Sequence, residues 1–223
     1  FEVFANQKEL VFFLQRAVGA SLCGEVRDHV LLVLYGGGSN GKSTLMETLL
    51  ALFGDYGHRA APSTFLAQHR EGPRPDIADL KGCRFLSALE TAEGDRLDEA
   101  TVKALCGGDA IRARHLYARA FTFQPQFTPW LATNHRPIVR GQDYALWRRL
   151  KLVPFDVLFE GDRQDPTLKA QLRDELPGLL TWAIEGCQWW QSDGLGQPKE
   201  VTAATDAYKS EMDVTGDYLS ECC

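Results

Sequence analysis

The stretch that decides the fold runs from Leu31 to Leu45 and reads LLVLYGGGSNGKSTL. An apolar run comes first, a glycine-rich turn follows, and Lys42 and Ser43 close the turn. Gly36, Gly41 and the Lys-Ser pair after them match the pattern G-x-x-x-x-G-K-[ST], in which backbone N–H groups surround bound phosphates. The pattern therefore predicts a phosphate-binding loop between a strand and a helix.

The segments on either side of the turn have the periodicity that such a loop needs. Residues 30–35 are apolar enough for a buried parallel strand, and residues 42–54 carry apolar positions at helical spacing up to Gly54. A helix N-terminus adds a favourable dipole for phosphate. We expect Lys42 to reach the β- and γ-phosphates of a nucleotide and Ser43 to bind Mg²⁺. The predicted nucleotide-binding residues are Gly36, Gly37, Gly38, Ser39, Asn40, Gly41, Lys42, Ser43 and Thr44.

Composition limits the class of protein. A chain of 223 residues that is 44% hydrophobic can bury one α/β core and supply a second, smaller unit. No apolar run approaches the roughly 20 residues of a membrane span, so we expect a soluble protein. Six cysteines without C-x-x-C spacing favour neither a zinc site nor a disulfide framework, and they fit a reducing cytoplasm. The chain opens without Met and stops on a Cys pair, so we expect both ends to be cuts in a longer polypeptide.

The charge of the chain is unevenly distributed. The formal net charge is −6, yet eight cations face a single acid between Ala110 and Lys151, which gives +7 in that segment and −13 elsewhere. Such a segment can serve a nucleic acid, a phosphate on a neighbouring subunit, or both, and chance clustering is the alternative. The cations are Arg112, Arg114, Arg119, Arg136, Arg140, Arg148, Arg149 and Lys151.

Two further apolar strands end on polar side chains. Residues 83–90 end on Glu90, and residues 128–135 end near Thr133 and Asn134. The carboxyl ends of parallel strands share one edge of the sheet, which is where nucleotides bind. We therefore expect Glu90 beside the phosphate loop. The alternatives are a solvated edge residue for Glu90 and a local loop-capping amide for Asn134.

Short alternating runs at 111–114 and 121–124 predict a hairpin whose tip is 115–119. Arg112 and Arg114 occupy alternate positions and so share one face, which serves either a ligand or the solvent. Tyr117 can stack on a base or simply pack. Apolar periodicity also predicts helices at 6–20, 97–105, 168–176, 177–190, 200–212 and 214–222, and a loop over 56–79 with a short helix near 63–68.

Five motifs follow one another along the chain: GGGSNGKST, RFLSALETAEG, VKALCGGDAIRARHLY, TPWLATNHRP and LWRRLKLVPF. In this order they resemble the motifs of the superfamily 3 helicases. More narrowly, they and the tail segments LRDELPGLLTWAIEGCQWW and AYKSEMDVTGDYLSECC are similar to the helicase domain at the C-terminal side of bacteriophage and plasmid primase-helicases, so that the resemblance covers nearly the whole chain.

The resemblance implies an α/β fold of the AAA+ type, with a P-loop core, a parallel central sheet, a flanking N-terminal helix and a C-terminal helical segment. Its implied units are an N-terminal packing segment over 1–28, an ATPase core over 29–160 and a helical segment over 161–223. The implied activity is that of an ATP-dependent DNA helicase, a hexameric ring that uses ATP or another NTP with Mg²⁺ to move on single-stranded DNA. A fused primase or other N-terminal domain and the cytoplasm of a bacterial or phage-infected cell are implied with it.

The resemblance also assigns roles to residues. Glu90 is the implied Walker B carboxylate that orients the attacking water, and Asn134 is the implied sensor 1 amide. Arg149 best fits an arginine finger offered to a neighbour's nucleotide, with Arg148 as the runner-up. Ser43 and Glu90 are the implied metal contacts, although Leu89 stands where many AAA+ proteins carry an Asp before the Walker B Glu. The implied DNA-binding residues are Arg112, Arg114, His115, Tyr117 and Arg119.

Two other classes of protein fit the phosphate loop. An AAA+ switch or scaffold would bind ATP without threading DNA. A small-molecule P-loop kinase would need a lid with its own arginines after a third strand and an acceptor pocket, and the sequence offers neither. DNA-stimulated hydrolysis separates the ring motor from the switch, and phosphate transfer to water separates both from the kinase.

Overall fold

A five-stranded parallel sheet forms the centre of the computed structural model, which describes residues 2–4, 7–68, 72, 74–141 and 143–213. The strand order is β2-β3-β6-β1-β7, and β4 pairs with β5 in a separate antiparallel hairpin. The parallel central sheet expected from the sequence is confirmed. The strands are β1 Leu31–Tyr35, β2 Gly57–Arg59, β3 Phe85–Leu89, β4 Ile111–Ala113, β5 Phe121–Phe123, β6 Thr128–Thr133 and β7 Leu150–Pro154.

Helices flank both faces of this sheet. The predicted helix at 214–222 lies outside the described residues, and none of the helices that the structure does describe is long and apolar enough to cross a membrane. Short 3₁₀ turns lie at Glu2–Phe4, Gly54–Tyr56, Pro62–Thr64 and Gly161–Arg163. The helices are α1 Lys8–Cys23, α2 Lys42–Phe53, α3 Pro75–Ala78, α4 Glu99–Gly107, α5 Tyr144–Trp147, α6 Leu168–Asp174, α7 Leu176–Asp193 and α8 Lys199–Glu211.

Within the described part of the segment predicted as a loop over 56–79, the structure has edge strand β2, a 3₁₀ turn and the short helix α3. Edge strand β2 has the sequence Gly-His-Arg, which shows no alternation of apolar and polar residues. The strand forms because its backbone pairs with β3. The predicted helix near 63–68 is wrong. A 3₁₀ turn at Pro62–Thr64 stands there, and Leu66 then forms a β-bridge to Leu97.

Strand β1 is buried on both faces of the sheet. Leu32 and Leu34 pack into the core under α1, α2 and α7, and Leu31 and Val33 pack into the core on the opposite side with α4. Such two-sided burial is typical of an inner parallel strand and accounts for the uninterrupted apolar run. β1 lies between β6 and β7, so the loop that follows it emerges between the carboxyl ends of its neighbours.

Helix α8 covers the outer edge of β7. The backbone N–H of Leu152 donates to the hydroxyl of Thr205, 3.0 Å away, which satisfies a donor that the sheet leaves unpaired. Val201 and Tyr208 of the same helix are fully buried against the sheet. The C-terminal helical segment therefore belongs to the same packed body as the strands.

Helices α1 and α7 cross at two glycines with almost no space between their backbones. A Cβ atom on Gly186 would lie 2.1 Å from the carbonyl oxygen of Gln15, and one on Gly19 would lie 2.1 Å from the backbone nitrogen of Cys187. Trp190, farther along α7, is fully buried. The first and the seventh helix are thus fixed to each other by backbone proximity.

We predict that Gly186→Ala lowers the free energy of unfolding by about 2 to 3 kcal/mol, because the helices must separate to admit one methyl group. The matched control is Gly178→Ala in the same helix, where a Cβ meets nothing within 4 Å. That change should be neutral or stabilise by up to about 1 kcal/mol through helix propensity. Urea unfolding of both variants measures the difference, and equal stabilities would contradict the close crossing.

Candidate functional site

The glycine-rich loop connects β1 to α2 in a conformation that few other sequences can adopt. Gly38 and Gly41 have φ angles of 98° and 87°, in the left-handed region that favours glycine. A Cβ on Gly36 would lie 2.3 Å from the carbonyl oxygen of Phe155 in the segment after β7. The loop is thus shaped by backbone geometry at Gly38 and Gly41 and by a close approach at Gly36.

Lys42 is enclosed by the loop. Its side chain is 4% exposed, and its ammonium group donates to the carbonyl oxygen of Gly36 at 2.6 Å and to Oδ1 of Asn40 at 2.9 Å. The Asn40 side chain donates in turn to the carbonyl oxygen of Phe155 at 3.0 Å. Burial lowers the pKa of Lys42 to about 8. The positive charge is therefore costly as it stands, and an anion beside it would be bound favourably.

A pocket of about 240 Å³ lies at the carboxyl edge of the sheet, beside this loop. Lys42 and Ser43 border it on one side, and Glu90 and Asn134 border it from the ends of β3 and β6. The structure thus brings together the loop, the acid and the amide that the sequence predicted as parts of one site. Leu89 also lines the pocket and contributes an apolar group at the position before Glu90.

The backbone of Glu90 is in a conformation that is uncommon outside glycine. Its φ angle is 63°, in the left-handed region, while its N–H still donates to the carbonyl oxygen of Ala132 at 2.8 Å. The side chain is exposed, and no ion pair in the described part of the chain involves it. Such strained residues concentrate at functional sites. The carboxylate is therefore presented to the pocket by an unusual turn.

Two threonines hold the ends of β3 and β6 together. The hydroxyls of Thr91 and Thr133 lie 2.6 Å apart, and they lie 2.9 and 2.7 Å from the carbonyl oxygen of His135. Both side chains are buried. The sequence analysis missed Thr91. The available signal was that a Thr adjoins each of the two predicted site residues, Thr91 after Glu90 and Thr133 before Asn134. This contact sets the separation of the acid and the amide across the pocket.

The oxygen atoms at the pocket suit a hard divalent cation. Hydroxyl and carboxylate oxygens, here from Ser43 and Glu90, are the ligands that Mg²⁺ takes beside phosphate oxygens and water. Across the residues that the structure describes, no group of three or more His, Cys, Asp or Glu side chains forms a metal site by itself. A bound Mg²⁺ would therefore take its other ligands from phosphate oxygens and water.

Arg148 and Arg149 lie at the amino ends of the strands, whereas the pocket lies at their carboxyl ends. They precede β7, and the N–H of Leu31, the first residue of β1, donates to the carbonyl oxygen of Arg149. A five-residue strand separates the two edges by about 16 Å. The structure therefore does not bring either arginine to the pocket of its own chain.

The two arginines differ in their surroundings. The guanidinium of Arg149 is half-buried and donates to the carbonyl oxygen of Ala145, and its Nε atom is buried without a hydrogen-bond partner. The side chain of Arg148 is exposed. Arg148 is thus the more accessible of the pair.

The predicted hairpin is present and projects a cationic tip. β4 pairs with β5 with Ala113 opposite Phe121, and the arginines at 112, 114 and 119 are exposed. Tyr117 at the tip is fully exposed and has a φ angle of 60°. The tip therefore presents cations and one aromatic ring away from the core.

His115 differs from the other residues assigned to the hairpin. Its Nδ1 atom lies 3.4 Å from a carboxylate oxygen of Asp79, and its ring stacks on Phe121 with centroids 5.6 Å apart. Lys81 approaches the same phenyl ring at 5.4 Å. His115 thus fixes the base of the tip, and Lys81 is a neighbouring cation that the sequence analysis did not name.

Viral proteins are similar to this chain over almost its full length. It is 30% identical over 234 residues to "Putative helicase L207/L206" of Acanthamoeba polyphaga mimivirus, with 96% of this chain and 24% of that protein covered. It is 26% identical over 242 residues to "Putative helicase 022R" of Frog virus 3, with 98% and 24% covered. It is 24% identical over 233 residues to "Putative primase C962R" of African swine fever virus, with 95% and 24% covered. The chain spans about a quarter of the length of these relatives.

A solved structure and a family model complete the comparison. The apo structure of the NrS-1 C terminal region (305-718) superposes with a TM-score of 0.72 at 11% identity, covering 92% of this chain and 49% of that one, so the two share a fold. The model of DUF5906, a family of unknown function, matches residues 34–149, just over half of the chain. That match runs from the end of β1 to the start of β7 and includes the loop, Glu90 and Asn134. The chain therefore belongs to the DUF5906 family.

Proposed function

We propose that this chain is the ATPase core of a replicative DNA helicase that works as a ring of six copies on single-stranded DNA. The observation that carries the proposal is the pocket at the carboxyl edge, where the phosphate loop meets Glu90 and Asn134. Relatives named as helicases and as a primase support a role in replication. The chain spans about a quarter of the length of these relatives, and the proposal includes a primase or another domain on its N-terminal side.

The loop is suited to the triphosphate of ATP or another NTP. Lys42 would contact the β- and γ-phosphates, and their charge would stabilise its buried ammonium group. Residues 36–44 would surround the phosphates with backbone N–H groups at the start of α2. Mg²⁺ supplies neutralisation of the phosphate oxygens when bound, and Ser43 and Glu90 would hold it.

Hydrolysis needs a water molecule to be oriented beside the γ-phosphate. Glu90 is the carboxylate that lines the pocket, so it can accept both a hydrogen bond and a proton from that water, and its exposed side chain leaves room for the water. Asn134 is neutral and can donate to a γ-phosphate oxygen from the neighbouring strand end. In phosphoryl transfer the protein mainly positions groups and stabilises charge, which matches this small set of residues.

The cation that would stabilise the transition state comes from a neighbouring subunit. Arg148 lies about 16 Å from its own pocket, at the far end of β7, and it is exposed. A ring with head-to-tail contacts places the far edge of one subunit against the pocket of the next. We therefore propose Arg148 as the arginine finger, while Arg149 holds α5 through Ala145.

The hairpin is the proposed contact with DNA. Six copies of its exposed arginines would build a positive channel, although the chain as a whole carries a net charge of −6. Single-stranded DNA fits such a channel because cations follow the backbone and Tyr117 can stack on any base. His115 would act indirectly, by fixing the tip against Asp79 and Phe121.

The first test concerns hydrolysis. Glu90→Gln should keep ATP affinity within about threefold and lower the hydrolysis rate by about 10² to 10⁴, because the amide cannot take up a proton. Single-stranded oligonucleotide should raise the rate of the unaltered protein. The matched control is Glu93→Gln, an exposed acid on the same loop, which should behave like the parent. Absence of DNA stimulation would favour an ATP-dependent switch, and phosphate transfer to a metabolite would favour a kinase.

The second test concerns the arginine finger. Arg148→Ala and Lys42→Ala should each lower hydrolysis by about 10³ or more when assayed alone. Mixing the two variants should restore activity, because roughly a quarter of the head-to-tail interfaces then combine an intact Lys42 with an intact Arg148. Steady-state hydrolysis across mixing ratios measures the rescue. No rescue in mixed rings that are shown to form by native mass spectrometry would contradict a finger at Arg148.

The third test concerns DNA. Replacing Arg112, Arg114 and Arg119 with Ala should weaken oligonucleotide binding and reduce the slope of log affinity against log salt by about 2. Basal hydrolysis should persist, because the pocket is untouched. The control replaces Arg163, Lys169 and Arg173 in the C-terminal segment and removes the same charge. Fluorescence anisotropy at several salt concentrations compares the two. Equal slopes would move the DNA contact away from the hairpin, with Lys81 and Arg140 as the next candidates.

A further inference from the structure

The backbone after Asn134 is held from two directions. The hydroxyls of Thr91 and Thr133 lie within 2.9 Å of the carbonyl oxygen of His135. Two residues further on, the carbonyl oxygen of Pro137 accepts a hydrogen bond from the buried hydroxyl of Tyr208 in α8. Arg136 lies between these two contacts. The strand end that carries Asn134 is thus attached both to β3 and to α8.

Arg136 itself joins three elements. Its guanidinium carbon lies 4.8 Å from the centre of the Tyr35 ring, and Tyr35 is the last residue of β1, directly before Gly36. Its Nη1 atom lies 2.7 Å from Oε2 of Glu211, the last residue of α8. The side chain of Arg136 is 25% exposed and that of Glu211 is 50% exposed. A single cation therefore contacts the strand of the phosphate loop, follows Asn134 by two positions and reaches the end of α8.

The contact with Tyr35 depends on the shape of the guanidinium. A planar, weakly hydrated cation stacks on an aromatic face, whereas the compact ammonium group of Lys does so less well. The ring of Tyr208 lies 5.9 Å from the same guanidinium, so the cation sits beside two aromatic rings. This arrangement fixes β1 and β6 relative to each other at the point where both enter the pocket.

We propose that Arg136 is a positioning residue that makes recognition of the γ-phosphate depend on the docking of α8. The inference rests on the proposed function, since it assigns the γ-phosphate to Asn134. Displacement of the end of α8 removes Glu211 from Arg136 and leaves the segment that presents Asn134 held from one direction, by Thr91 and Thr133. The loop and Lys42, which hold the other phosphates, keep their own hydrogen bonds to Gly36 and Asn40.

The inference predicts different effects on the binding of ADP and on the binding of an ATP analogue. ADP lacks the γ-phosphate and is held by the loop, so its affinity is independent of Arg136. A non-hydrolysable ATP analogue carries the γ-phosphate, so its affinity falls when Asn134 is no longer held in place. A residue with only a structural role would lower both affinities together. The ratio of the two affinities is therefore the informative quantity.

The experiment measures binding of ADP and of an ATP analogue by calorimetry, together with ATP hydrolysis, in the full 223-residue chain. Arg136→Ala should lower kcat and analogue affinity by about tenfold and change ADP affinity by less than about twofold. Arg136→Lys, which keeps the pair with Glu211 but not the planar stack, should fall between the variant and the parent. Glu211→Gln should act in the same direction, and combining it with Arg136→Ala should add nothing further.

A matched control removes another ion pair of the same length. Lys169 and Glu47 join α6 to α2 with a separation of 2.7 Å, and Lys169→Ala should leave both affinities and the hydrolysis rate unchanged. If Arg136→Ala fails to fold, the half-exposed Glu211→Gln carries the test alone. Equal losses of ADP and analogue binding, or no loss of either, would overturn the inference while the proposed function stands. Absence of nucleotide binding by the unaltered protein would overturn both.

Discussion

The parallel pairing of β1 with β6 on one side and β7 on the other is the constraint on which the rest of the structure depends. The carboxyl ends of parallel strands lie on the same side of the sheet. The loop after β1, the amide after β6 and the acid after β3 therefore lie close together. The segment after β7 then returns over the loop, where the carbonyl oxygen of Phe155 leaves room only for glycine at position 36. A shift of β1 by one residue would exchange the two apolar faces and separate these groups.

Local chemistry explains which parts of the molecule the sequence could predict. Periodicity and the positions of glycines predict β1, α2 and the hairpin, because the sequence signal for each of these elements lies within about fifteen consecutive residues. The structure places the loop, Glu90 and Asn134 at one pocket, because the parallel strands that precede them end on the same side of the sheet. The family resemblance added the roles of these residues, which no periodicity contains, and those roles remain predictions.

Long-range contacts explain what the sequence could not predict. β2 exists because the backbone of β3 pairs with it, and nothing in Gly-His-Arg indicates a strand. Three further contacts join residues whose proximity depends on the fold or on a local turn. They are the hydrogen bond from Arg149 to Ala145, the contact of His115 with Asp79, and the hydrogen bond between Thr91 and Thr133. The segment from 110 to 151 carries eight cations and one acid, yet the fold distributes the cations to the hairpin, to the neighbourhood of the pocket and to the opposite ends of the strands.

The helix that covers β7 has a mechanical consequence for assembly. Since Thr205 occupies an N–H group at the outer edge of that strand, a neighbouring copy cannot extend the sheet there by backbone pairing. At the other edge, β2 has three residues and offers little to pair with. Copies in a ring would therefore meet through loops and helices rather than through one continuous sheet. In the proposed ring, each copy could then tilt against its neighbours without breaking a β-ladder.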